Sequence, residues 1–204
     1  MYTLYSMQSS GNCYKLRLMM AQLGLIFHVH DVDVLGGETR TEEFLKINPN
    51  GKVPVLVLDD GRVITESGAA LFYLAEGSPW LPKGRYKRSQ VLQWMFFEQY
   101  SHEPYIAVAR FWLSLYPGGR EEKAAELPVW LERGHQALAV MEQHLTNHDF
   151  LAANRYTIAD IALYAYTHMA HEGDFDLESY PAIRDWLERV RGQPGYVPMD
   201  WRPE

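Results

Sequence analysis

Residues 51–67 read Gly51-Lys52-Val53-Pro54-Val55-Leu56-Val57-Leu58-Asp59-Asp60-Gly61-Arg62-Val63-Ile64-Thr65-Glu66-Ser67, and the fold turns on this stretch. A proline stands directly before an apolar, β-branched run. There it can open a strand but not occupy its middle. Asp59-Asp60-Gly61 closes the run as a turn, and Arg62-Val63-Ile64 is expected to pair back across it. The Val53–Pro54 bond is a candidate cis peptide, an isomer essentially confined to X-Pro bonds. Such a turn offers the N–H and C=O of Val53 to a partner. Glu66-Ser67 then opens a helical run over residues 68–76, whose first-turn N–H groups and positive dipole end can hold a carboxylate.

Upstream, residues 3–6 read as a short strand, residues 14–23 as a helix stopped by Gly24, and residues 27–34 alternate as a strand does. The order βαβ then ββα is that of a thioredoxin-like domain over residues 1–77. Gly77-Ser78-Pro79-Trp80-Leu81-Pro82-Lys83-Gly84 is rich in breakers and ends it. Beyond it the pattern is helical. Leu127, Trp130, Leu131, Leu138, Met141 and Leu145 fit one helix face, and residues 85–115, 156–170 and 182–191 complete an all-α domain over residues 86–204. The expected fold is thus α/β followed by all-α.

The 204 residues are 47% hydrophobic, enough for a sizeable core. Cys13 is the single cysteine, so an intrachain disulfide, a CxxC motif and a cysteine-rich zinc site are excluded. The N-terminus lacks a basic region with a long apolar core, and no apolar stretch nears the ~20 residues that span a bilayer. A cytoplasmic protein is expected. The formal charge of −7, without a Lys/Arg run, argues against nucleic acid or an anionic membrane as partner.

In their order and spacing, Leu4-Tyr5, Ser9-Ser10-Gly11-Asn12, Val53-Pro54, Glu66-Ser67 and Thr157-Ile158-Ala159-Asp160 resemble the cytosolic glutathione transferases, over nearly the whole chain. The resemblance implies glutathione as co-substrate, no metal, and a homodimer. Val53 is then expected to pair through its backbone with the cysteinyl part of the tripeptide beside Pro54, a form of β-augmentation. Glu66 takes the γ-glutamyl ammonium, Ser67 its carboxylate, and Lys52 the glycyl carboxylate. Ser10, five residues before Lys15, falls where similar proteins carry the thiol-activating group, and Asn12 where some bacterial members use an amide as second donor.

A hydrogen bond to a thiolate lowers the pKa of the thiol. The plainer reading makes Ser10 and Asn12 caps of the first helix, which is compatible with that role. Cys13 invites a mixed-disulfide mechanism, but it lies about one helical turn past the position that cysteine-type members use. Tyr5 belongs to the first strand. In the helical part Tyr105 and Arg110 are candidates for an electrophile pocket, whereas Trp112 reads as core. His168, His171 and Glu172 share a helical spacing without a third ligand at a recognised interval, so a histidine near the negative end of a helix is preferred to a metal site. Thr157 and Asp160 form a capping box.

The expected activity is conjugation: glutathione thiolate attacks a small electrophile. Two alternatives stand beside it, glutathione-dependent reduction of a disulfide or peroxide, and a non-catalytic binding protein of the same fold.

Overall fold

The computed structural model describes residues 1–203, which divide into two compact units: Met1–Gly77 with residues 194–203, and Ser78–Gln193. In the first unit the order is β1 (Tyr2–Ser6), α1 (Gly11–Gln22), β2 (Phe27–Asp31), α2 (Glu42–Ile47), β3 (Val55–Val57), β4 (Val63–Thr65) and α3 (Ser67–Ala75). The sheet order is β2-β1-β3-β4. β1 runs parallel to β2, with Leu4 opposite Val29, and antiparallel to β3, with Leu4 opposite Leu56; β3 and β4 form the expected hairpin. This is the thioredoxin-like arrangement. The short helix α2, absent from the expected order, begins at Thr41, whose hydroxyl accepts the Phe44 N–H.

Pairing places β1 and β3 in the centre of the sheet, so both of their faces are covered. Leu4, Val55 and Leu56 are fully buried. On one side Val55 packs with Val32 and Phe44, flanked by Tyr5 and Ile47. Helix α1 is buried nearly all round: Cys13, Leu16, Leu18, Met19 and Met20 are joined inside by Lys15 and Arg17. Cations at such depth need hydrogen-bond partners. Arg17 donates to Ser6 Oγ at 3.1 Å, to the Gln8 carbonyl at 2.8 Å and to the Met199 carbonyl at 3.0 Å.

That last contact corrects the expected domain boundary. The expected helical domain runs through residue 204, yet residues 194–203 belong with the first unit. Hydrogen bonds from Gln8 and Tyr14 join those of Arg17 in holding them, with the Trp201 ring 6.3 Å from that of Phe27.

The second unit is helical: α4 (Arg85–Phe97), α5 (Glu103–Arg110), α6 (Gly119–Glu122), α7 (Leu127–Leu145), α8 (Ile158–Thr167) and α9 (Pro181–Arg191). The helical stretch expected over residues 85–115 is divided into α4 and α5 by a π-helical turn at Glu98–His102, and a second π-helical turn, Phe111–Leu115, follows α5. Pro104, in the first turn of α5, has no N–H for a continuous ladder. The apolar stripe of α7 is buried from Gly134 through Leu138 and Met141 to Leu145. Among the described residues no helix is long and apolar enough to cross a membrane.

Candidate functional site

In the first unit two chain segments converge, the loop after β1 and the start of α3. Ser10 is the N-cap of α1, its Oγ accepting the Cys13 N–H at 3.3 Å. The capping role is therefore real, and it places the hydroxyl at the positive end of a twelve-residue helix. Two residues on, the Asn12 side chain reaches across to α3. Ser67 Oγ donates to Asn12 Oδ1 at 3.2 Å. Lys15 Nζ donates to the same oxygen at 2.7 Å and lies 3.4 Å from Ser67 Oγ. Lys15 served in the sequence only as a landmark for counting. No sequence signal marked it, because hydropathy patterns treat a lysine as solvent-facing.

Glu66 precedes α3 with φ 66° and ψ 118°. A non-glycine residue with positive φ is uncommon, and such strain concentrates at ligand sites. The Asn50 amide donates to Glu66 Oε1 at 3.4 Å. Ser67 itself is buried, and the N–H groups of the first turn of α3 have no intrahelical acceptor. A carboxylate is the natural complement of such an end.

The Val53–Pro54 peptide is cis. β3 starts only at Val55, so the Val53 peptide lies outside the sheet ladder. Asn48 holds this turn from behind, donating to the Lys52 carbonyl at 2.7 Å, while the Lys52 side chain is exposed. Asn12, Ser67 and Glu66 are thus linked directly or through neighbours in sequence.

Cys13 is fully buried, its Sγ accepting the Met7 N–H at 3.4 Å. Burial pushes its thiol up, with hydrogen bonds from Ser10 and the Met7 N–H pulling more weakly downward.

The structure separates the two residues expected at an electrophile pocket. Tyr105 lines a groove of ≈ 280 Å³ in the helical unit with Phe97, Tyr100, Arg133 and Val140. Arg110 is buried, and its Nε donates to Glu172 Oε2 at 2.8 Å, an ion pair that sequence spacing gave no reason to expect. The Trp112 ring is partly exposed and carries the Lys123 ammonium 4.7 Å above it. His168 lies against the Tyr164 carbonyl at 2.7 Å.

Residues 1–76 match the glutathione S-transferase N-terminal domain and residues 93–194 the C-terminal domain. The chain belongs to the glutathione S-transferase family. It is 30% identical over 194 residues to the disulfide-bond oxidoreductase YfcG of Escherichia coli K12, covering 90% of this chain and 87% of that one. The crystal structure of a glutathione S-transferase from Pseudomonas fluorescens Pf-5 superposes with a TM-score of 0.94 at 55% identity, covering 97% and 98%. Ure2p in complex with glutathione superposes with a TM-score of 0.85 at 25% identity, covering 95% of each chain.

Proposed function

We propose that the protein is a cytoplasmic, homodimeric glutathione transferase that ionises the glutathione thiol and directs it at a small electrophilic molecule. The observation that carries this reading is the Ser67–Asn12 hydrogen bond. It ties a helix N-terminus suited to the γ-glutamyl carboxylate to a loop suited to the thiol, so one tripeptide can engage both. Glutathione lies with its γ-glutamyl end at Glu66 and Ser67, its cysteinyl backbone paired to Val53 beside Pro54, and its glycyl carboxylate toward Lys52. The Ser10 hydroxyl and the Asn12 amide donate to the sulfur. Donors aimed at a thiolate favour the ionised form, and each unit of pKa lowering is worth about 1.4 kcal/mol. The thiolate lone pair then forms the carbon–sulfur bond as the leaving group departs with its electrons, or as a conjugated acceptor takes them up. Tyr105 and its groove are the proposed electrophile surface of the helical unit. Arg110, closed off by Glu172, instead holds that unit together.

The test is an ultraviolet difference titration of bound glutathione against pH in the wild type, Ser10→Ala and Asn12→Ala, run beside a chlorodinitrobenzene conjugation assay. A thiolate signal at lower pH than free glutathione, weakened in both variants together with conjugation, is the expected result. Binding without ionisation would overturn it.

The likeness to YfcG favours a second reading, reduction of a disulfide through bound glutathione. Turnover of a small disulfide with no conjugation of any electrophile would put that reading first.

A further inference from the structure

Lys15 is 1% exposed, on the second turn of α1. Lysine is almost never this buried without partners, because removing an ammonium from water is costly. Its Nζ meets Asn12 Oδ1 at 2.7 Å and Ser67 Oγ at 3.4 Å, and Ser67 Oγ donates to that same Asn12 oxygen at 3.2 Å. The three side chains close a triangle.

An ammonium carries three donors and no acceptor. Only the oxygen end of a carboxamide can face it; the reversed amide would set N–H against N–H. Lys15 and Ser67 thus dictate which way round the Asn12 amide sits, holding Oδ1 inward and leaving Nδ2 as the opposite, donating end. A thiolate is stabilised by the nitrogen end and opposed by the oxygen end.

We propose that Lys15 is a positioning residue for thiol ionisation: it holds the Asn12 carboxamide in the donor orientation, from a seat it shares with the carboxylate-binding Ser67. This rests on the glutathione reading above. Lys15 acts through Asn12 and touches neither the sulfur nor the electrophile. Because Ser67 belongs to both the triangle and the γ-glutamyl subsite, glutamyl binding and the thiol donor are mechanically joined.

The rival explanation is that Lys15 favours the thiolate through its own positive charge, without Asn12. A double-mutant cycle separates the two. The pKa of the bound glutathione thiol is read in the wild type, Lys15→Met, Asn12→Ala and the double variant, with kcat and KM for glutathione. Lys15→Met keeps the length of the buried chain and removes only the ammonium. The expected result is a rise of about one unit, or tenfold in thiolate at fixed pH, in Lys15→Met, with kcat falling more than KM rises. The double variant is expected to be no worse than Asn12→Ala alone. Additive shifts, or a KM effect with an unmoved thiol pKa, overturn the proposal.

A second variant tests the donor end of Asn12 even if Lys15→Met folds poorly. Asn12→Asp gives Lys15 a carboxylate and preserves the contact, but it has no N–H to offer. The thiol pKa then rises at least as far as in Asn12→Ala while the thermal midpoint holds; an unchanged thiol pKa refutes the proposal. If wild-type glutathione fails to bind or to ionise, the transferase reading itself has failed, which is a distinct result.

Discussion

The Tyr14 hydroxyl donates to the Val197 carbonyl at 2.7 Å, joining α1 to a segment 183 residues further along the chain. Gln8 donates from the loop below to the Met199 and Trp201 carbonyls, and Arg17 to Met199. Tyr14 and Arg17 are fully buried, so removing the tail exposes both. Truncation after Gly195 is expected to cost about 3 kcal/mol, the range of a large core deletion with lost buried hydrogen bonds. It should also weaken glutathione binding, because Gln8 leads directly into Ser10. Arg202→Ala deletes only the exposed pair with Asp31 and should cost no more than about 1 kcal/mol. Urea unfolding of the two variants checks this; a truncated protein as stable as the wild type would show that the tail only rests on the surface.

Asp160 lies at the junction of three backbone and side-chain systems. Its carboxylate accepts from the Leu151 and Thr157 N–H groups, the Thr157 hydroxyl and the Trp186 indole, at 2.8 to 3.2 Å. The capping box is present as expected, but Thr157 is the smaller part of it. Thr157→Ala should cost about 1 kcal/mol, an ordinary cap. Asp160→Ala leaves several buried donors unanswered and should cost about 3 kcal/mol or more. Thermal or denaturant midpoints give the ranking. Equal losses would mean that the Trp186 and Leu151 contacts add nothing.

Cys13 is expected to be chemically silent. A fully buried thiol, pushed toward its neutral form, is a poor nucleophile. Cys13→Ala should keep conjugation within about twofold and lower stability by about 1–2 kcal/mol, the effect of a small core deletion. Maleimide should label Cys13 only in denaturant. Rapid labelling of the native protein, or a tenfold loss of activity in the variant, would restore a role for the thiol.

Local chemistry made much of this legible in the sequence. Pro54 before a β-branched run, the Asp60-Gly61 turn and Gly77 have few structural alternatives, and each stands in the structure where its chemistry demands. The contacts that hold the site were less legible because they join distant residues. Lys15 and Arg17 look like solvent-facing positions of an amphipathic helix. They are interior because Asn12, Ser67, Ser6 and Met199 supply oxygens from four separate parts of the chain. Residues 194–204 carry no periodicity, so nothing local opposed assigning them to the preceding helices. Arg110 looked like a ligand-facing cation for lack of any sign of Glu172, 62 residues later.

His168 also shows burial overriding a local rule. As the C-cap of α8 it could be expected to favour its charged form beside the negative helix end. Burial instead pushes its pKa from 6.5 down to about 4, against the pull of the Tyr164 carbonyl. Between those values the unfolded chain holds a proton that the folded chain lacks, so this group makes stability fall as pH drops from 6.5 toward 4. At pH 5 the loss relative to pH 7 is about 2 kcal/mol. Asp160 works in the opposite sense, because burial raises it from 3.8 to about 6. The folded state then holds the extra proton, and stability from this group rises by about 1 kcal/mol over the same acid step. The wild type should therefore show the Asp160 contribution offsetting only about half of the His168 loss. His168→Phe keeps a ring against Tyr164, stacked at 4.5 Å in the native protein, and removes one side of the balance. Its stability should fall less than that of the wild type between pH 7 and pH 5, by about 2 kcal/mol, in urea titrations at the two pH values. Parallel losses in both proteins would place the His168 pKa near that of a free imidazole and refute the assignment.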